Sequence, residues 1–167
     1  MKSPSRSVGR RTFRFEPIGF IRSAFKNPED LPPPALAPPG FFERSKGEII
    51  LDDVYGPAAD DLEGFSHLIV LFVFHRSRDS HLKAVPPLET RPRGVFSTRS
   101  PRRPNPLGMT VVKLLGRRGN VLDVSGIDMV DGTPVLDIKP STGRDRKSRI
   151  RTGWVGKHRR RPRRKTP

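Results

Sequence analysis

Cysteine is absent from the 167-residue sequence. That excludes disulfides, thiolate metal centres and cysteine nucleophiles. Long apolar runs are missing too, and none approaches the roughly 18–20 residues that span a bilayer. The N-terminus, MKSPSRSVGRR, has no apolar stretch behind its charges, so a secretory signal is not expected. The reading is a soluble cytoplasmic protein with no membrane partner. There is no GxGxxG and no Walker loop, which removes the Rossmann and P-loop readings, and no GxSxG elbow. The four histidines are scattered without ligand spacing, so no metal site is expected. Helical periodicity of useful length is nearly absent as well.

What is abundant is positive charge, and its placement is uneven. Residues 1–14 carry five basic groups and no acid, and residues 143–167 carry twelve basic groups against one acid, Asp145. Residues 15–142 carry sixteen of each sign, so the whole excess of +16 sits on the two ends. An ending such as KHRRRPRRKTP cannot bury itself and is expected to be disordered alone. Its natural partner is a polyanion, bound with an affinity that falls steeply with salt. The alternative is a solubilising tail with no part in chemistry. The chain thus divides into a basic N-terminal tail (1–14), one domain (15–142) and a basic C-terminal tail (143–167), with both tails expected to be disordered.

Within the domain, FEPIGFIRSAFK (15–26) reads as a first strand leading into a loop. NPEDLPPPALAPPG (27–40) holds six prolines in fourteen residues, which forbids a helix or central strand and predicts a long extended loop. GEIILDD (47–53) is a short strand, and DDLEGF (60–65) fits one helical turn. HLIVLFVFH (67–75) is a continuous apolar run, read as a buried central strand. RPRGVFSTR (91–99) contains another strand. MTVVKLLGRRGNVLDVSGID (109–128) reads as a hairpin turning at Arg117–Asn120. PVLDIKP (134–140) is a further strand, ended by Pro140. Many short strands with Gly and Pro between them point to an all-β barrel or sandwich.

Three constellations can carry chemistry. In GVFSTRSPRRPNPLGMT (94–110), Pro101, Pro104 and Pro106 fix three φ angles and pre-order a bend without hydrogen bonds of its own. Arg99, Arg102 and Arg103 then offer planar forks to carboxylate or phosphate. Asn105 can read a polar edge, and Gly108 admits a close backbone approach. The plain alternative is a surface crossover with solvated arginines. In MVDGTPVLDIKP (129–140), Asp131-Gly132 signals a turn and Thr133 adds a hydroxyl. Asp137 and Lys139 share one strand face, either to bind a zwitterion or move a proton, or as a structural ion pair. His75 with Arg76 closes the apolar strand, where a lone histidine is more often structural.

Taken together, GVFSTRSPRRPNPLGMT and DMVDGTPVLDIKP resemble the signature of the TsaA-like, or tRNA-methyltransferase O, family. The likeness extends outward to FEPIGFIRSAFK, LAPPG, GEIIL and LEGFSHLIVLFVFH, covering roughly residues 15–140. It implies a compact single-sheet β-barrel that binds S-adenosyl-L-methionine without a Rossmann domain. It also implies a homodimer with the cofactor pocket near the subunit interface, and methyl transfer to N6 of threonylcarbamoyl-adenosine beside the tRNA anticodon. Carried onto this chain, the cofactor site comprises the proline loop at Ala37, Pro38 and Pro39, the strand end His75–Arg76, Arg99 with Leu107, and the turn Asp131, Gly132 and Thr133. Arg99 is expected at the cofactor's carboxylate and Asp131 at its ammonium. Arg102, Arg103, Asn105 and Lys139 complete the pocket or face RNA, and Asp137 or His75 is the candidate base.

This chain departs from the family pattern at two places. Family members often read PRQPG where this chain has Ala37-Pro38-Pro39-Gly40, and DIKPY where it has Ser141. Longer members also carry a further C-terminal domain, where this chain has a basic tail. The alternatives are a non-catalytic S-adenosylmethionine- and RNA-binding module of the same fold, or a methyltransferase with another acceptor.

Overall fold

Alternation of apolar and polar side chains sets the strands, and their pairing closes the sheet on itself. The computed structural model describes residues 12–157. The expected disorder of residues 1–11 and 158–167 lies outside the described residues. Strand β1 (Gly19–Ser23) is followed by the proline loop, a one-turn helix α1 (Phe41–Arg44) and β2 (Lys46–Leu51). A covering stretch with 3₁₀ turns at 53–59 and 62–64 leads to β3 (His67–Val73). A long excursion, residues 74–106, contains the two-residue strands β4 (Lys83–Ala84) and β5 (Arg93–Gly94). Then come β6 (Leu107–Arg118), β7 (Val121–Ser125) and β8 (Pro134–Pro140). The barrel order is β1-β2-β7-β6-β3-β8 with every pair antiparallel. Closure leaves no free sheet edge to recruit another strand.

Six strands enclose a space narrow enough for side chains to fill. Ile21, Ile49, Leu68, Val112, Leu122 and Val135 are each fully buried inside it. Ile127 and Met129, from the loop between β7 and β8, are buried with them and stopper one mouth. Burying about fifteen such side chains, at roughly 1.5–3 kcal/mol each, supplies the driving force that a chain without cross-links needs. β6 is long because it serves two neighbours, pairing with β3 through Leu107–Lys113 and with β7 from Lys113 onward. A register shift at Leu114/Gly116 bends it around the corner, as bulges do. Gly108 faces the interior, where a Cβ would lie 2.2 Å from the Phe72 ring. The close approach expected at this glycine is therefore made by a core aromatic rather than a ligand.

The strand assignments at 15–26, 47–53, 109–128 and 134–140 agree with the structure, β1 being shorter and β2 and β6 beginning one and two residues earlier than expected. The segment 91–99 forms only β5 and a 3₁₀ turn. The run 67–75 differs in kind. Only Leu68, Val70 and Phe72 are buried, while Ile69, Leu71 and Val73 point outward and are half-buried. A closed barrel has one inner face, so a continuous apolar run cannot be covered on both sides by this chain alone. Across the register, Ile69, Leu71 and Val73 stand beside Val111, Met109 and Leu107, all about half exposed. Among the described residues no helix is long and apolar enough to cross a membrane.

Candidate functional site

Antiparallel pairing decides which loops can meet. β1, β3 and β7 end at the same mouth where β2, β6 and β8 begin. Three loops therefore gather at one end: 24–45, 74–106 and 126–133. They contain all the predicted cofactor residues except Leu107, which opens β6 at the same mouth. Arg102, Arg103 and Asn105 lie in the second loop. Asp137 and Lys139 do not join them: they form an ion pair with each other on the outer face of β8, opposite Leu71 and Ile69. Asp137 also borders an otherwise apolar cavity of about 210 Å³, lined by Ile18, Leu51, Tyr55 and Leu62, away from the three loops.

Asp131 is the hub. Its Oδ1 accepts from the Ser23 backbone N–H at 2.9 Å, and its Oδ2 lies 2.9 Å from Lys26 Nζ. The Lys26 hydrogen bond and the Ser23 N–H hold the carboxyl below its ordinary range. The Asp131 N–H donates to Phe25 O at 2.7 Å. Arg76 Nη1 donates to Lys26 O at 2.7 Å and to Asn27 Oδ1 at 3.4 Å. The turn, the end of β1 and the end of β3 are thus laced together.

The proline loop reaches the same place through aromatics. Phe41 packs against Phe25 with ring centres 6.1 Å apart and planes tilted by 34°, and its N–H donates to Pro38 O at 3.0 Å. Arg44 Nη2 holds Pro39 O at 3.1 Å. Pro38 and Pro39 remain exposed.

The arginine ribbon is fastened on the other side of Arg76. Phe74 N–H donates to Pro106 O at 2.8 Å and His81 N–H to Arg102 O at 3.2 Å, while Ser77 Oγ donates to Pro101 O at 3.1 Å. The ribbon also has bonds of its own, contrary to the expectation from its prolines. Arg103 N–H donates to Pro101 O at 3.0 Å, and the Thr98 and Ser100 hydroxyls accept from Ser100 and Arg102 N–H at 3.3 Å each. Thr133 also serves the fold: it is buried, and its hydroxyl donates to Val130 O at 2.7 Å, closing the turn. Gly132, at φ 73°, supplies the left-handed step that this turn requires.

Two titrating groups complete the site. His75 is pushed below its ordinary value by partial burial and by the adjacent Arg76 charge, so its imidazole is neutral at pH 7. Asp128 was not singled out from the sequence. Burial pushes its carboxyl up, while Thr110 and the charge of Arg99 partly offset this. Its Oδ1 is enclosed without a hydrogen-bond partner among the described residues. Arg99 therefore answers to Asp128, three residues before Asp131, rather than to Asp131 itself. The sequence signal for Asp128 was an acid between two apolar residues in GIDMVDG. Lys26 and Asn27 were legible only as neighbours of a strand end. Among the described residues no cluster of three or more His, Asp or Glu could hold a metal ion.

Comparison with known proteins bears on the same region. The family model for the tRNA-methyltransferase O N-terminal domain matches residues 20–144. A probable S-adenosyl-L-methionine-binding protein of Pyrococcus abyssi is 39% identical over 145 residues, covering 86% of this chain and 77% of that protein. The tRNA (adenine(37)-N6)-methyltransferase of Escherichia coli K12 is 41% identical over 139 residues, covering 77% of this chain and 57% of that enzyme. The crystal structure of TrmO from Pseudomonas aeruginosa superposes with a TM-score of 0.70 at 36% identity, covering 86% of this chain and 62% of that one. This chain thus spans less than two thirds of those two enzymes.

Proposed function

The chain belongs to the tRNA-methyltransferase O family, and from that premise we propose that it binds S-adenosyl-L-methionine and methylates an adenine N6 of tRNA. The finer reading is N6 of threonylcarbamoyl-adenosine beside the anticodon, acting in the cytoplasm. The observation that carries the proposal is the meeting, at one barrel mouth, of the three loops that hold the family's signature residues.

The residues present suit a sulfonium amino acid joined to adenosine. Arg76 and Arg99 supply cations for a carboxylate. Phe25 and Phe41 supply an aromatic wall beside the proline loop. Asp128 has a buried oxygen with acceptor capacity to spare, which an ammonium can fill. Asp131 already has both oxygens engaged, so Asp128 takes the ammonium role first expected of Asp131. The cofactor supplies an electrophilic methyl group. The chain must hold the acceptor nitrogen in line with it, which is worth many powers of ten when the geometry is right. Transfer would exchange the cofactor's S–CH3 bond for an N–CH3 bond, leaving the sulfur as a neutral thioether, and N6 would give up a proton. His75, neutral and at the mouth, is suited to accept it, whereas Asp137 is tied to Lys139 outside.

The half-exposed outer face of Ile69, Leu71, Val73, Leu107, Met109 and Val111 is the surface proposed for homodimerisation. It starts at the site mouth, where Leu107 stands. This is consistent with a pocket beside the interface.

Titration calorimetry with S-adenosylmethionine, at protein concentrations well above the micromolar range, tests the first half. Absence of heat overturns it. Methyl transfer to tRNA with and without the threonylcarbamoyl group, read by nucleoside mass, tests the second. A binding module without turnover is the alternative favoured by Ala37 and Pro38, which replace two polar side chains of the family pattern. It predicts heat with the cofactor and no methylated nucleoside.

A further inference from the structure

The 74–106 excursion is one knitted lobe. Its small sheet pairs Lys83 with Gly94 and Ala84 with Arg93, and Val95, almost fully buried, donates its N–H to Leu82 O at 3.0 Å. Arg93 and Glu89 form a largely buried ion pair. From residue 76 to 106 the lobe carries eight basic and two acidic side chains, and Glu89 is already engaged by Arg93.

Through Trp154, a second basic segment, residues 143–157, rests on this lobe. Residues 143–157 carry six basic groups and one acid, and residues 158–167 carry six more with none. The single acid, Asp145, is engaged with the Thr142 backbone N–H at 2.6 Å. Within the tail, residues 143–157 form 3₁₀ turns at Gly143–Asp145 and Gly153–Lys157 and contain the only tryptophan of the chain. Trp154 Nε1 donates to Ser97 O at 2.9 Å, and the Arg93 guanidinium sits 5.5 Å from the centre of its ring. Composition registers the charge run and passes over this one apolar anchor.

Two cationic segments repel each other. Holding them side by side is useful to a ligand that neutralises both at once. A phosphodiester backbone does this: each contacted phosphate releases counterions, and a second contact made within one complex benefits from a high effective concentration. We propose that Trp154 is the positioning residue that docks the basic segment 143–157 onto the 74–106 lobe, making the two one continuous binding surface for an RNA backbone. This rests on the reading of tRNA as substrate.

The test uses the full chain, an unmodified tRNA transcript, and a salt series. Trp154→Ala leaves every charge in place. It is expected to weaken tRNA binding roughly tenfold, as loss of pre-organisation does, and to raise KM for tRNA with kcat kept. Cofactor binding and melting temperature stay at wild-type values. Trp154→Phe, which keeps a ring over Arg93, recovers part of the loss. Removing 158–167 instead lowers the salt slope, by about 0.9 for each phosphate no longer neutralised. Since Trp154 is the sole indole, its fluorescence reports the docked state directly, and adding tRNA should shift it. If wild-type protein binds tRNA and Trp154→Ala binds it equally at every salt concentration, the anchor is refuted while the substrate reading stands. If wild-type protein binds no tRNA even at low salt, both fall.

Discussion

At the scale of single residues, Asp128 is held against its own ionisation. Burial raises its folded-state pKa above the ordinary 3.8, so the fold grips this proton more tightly than the unfolded chain does. Stability from the group is complete below pH 4 and is lost as pH rises from there toward the folded value. At neutral pH Asp128 therefore works against folding. Asp128→Asn is expected to raise Tm at pH 7 by roughly 2–4 °C, the shift that about 1 kcal/mol gives in a chain of this size, with the gain vanishing near pH 3. The same variant should bind S-adenosylmethionine more weakly, because a neutral amide cannot pair with an ammonium. Thermal scans at the two pH values and one calorimetric titration check both halves.

His75 runs the other way. Its folded pKa lies below 6.5, so what it contributes to stability is present above that value and is lost as pH falls through it. The acid limb of the methyl-transfer rate should accordingly fall below pH 6.5. His75→Ala should cost about 10²-fold or more in kcat with cofactor affinity kept. None of these environments was legible beforehand. A one-dimensional string shows that an acid sits between Ile127 and Met129, but burial comes from the closure of the barrel mouth over it.

Elements show the opposite balance. Period-two alternation and the proline and glycine stops placed β1, β2, β6, β7 and β8 before any coordinates. The bend in β6 was not visible, because a bulge is a relation between two strands. The outward half of β3 was misjudged because an apolar run reads alike whether its second face meets the core or another molecule.

Two side chains test the element-level account. Arg117, with its side chain 15% exposed, donates to Gly56 O at 3.0 Å, Ala59 O at 2.9 Å and Gly119 O at 2.7 Å. It clamps the 53–59 covering stretch to the β6–β7 turn. Arg117→Ala leaves those carbonyls unmatched, and a loss of about 1–3 kcal/mol follows. Arg117→Lys rescues little, since a point charge cannot reproduce the fork. Gly108→Ala drives a methyl into the Phe72 ring and should cost about 1–3 kcal/mol. Combining it with Phe72→Leu recovers part of that, and chemical denaturation of the four proteins measures the coupling.

Across the whole molecule, charge and apolar surface are segregated. The middle of the chain is electrically balanced and the ends are not. The exposed apolar residues of β3 and β6 lie together on one flank. Met109→Asp or Val111→Asp places a carboxylate in the centre of that flank, which a dimer must desolvate. Sedimentation should find these variants monomeric with Tm of the monomer fold retained, and wild-type protein at twice the mass. Wild-type protein sedimenting as a monomer removes the dimer proposal.

The barrel closes through continuous backbone ladders on all six strands, while the three loops at its mouth are held by scattered single bonds, from backbone such as Asp131 N–H to Phe25 O and from side chains such as Arg76 to Lys26 O. Amide exchange should therefore run in two tiers. Deuterium should enter the interior of β3 and β6 only through global opening, and enter 24–45, 74–106 and 126–133 through cheaper local excursions. A small molecule seated at the mouth should slow the second tier and leave the first unmoved.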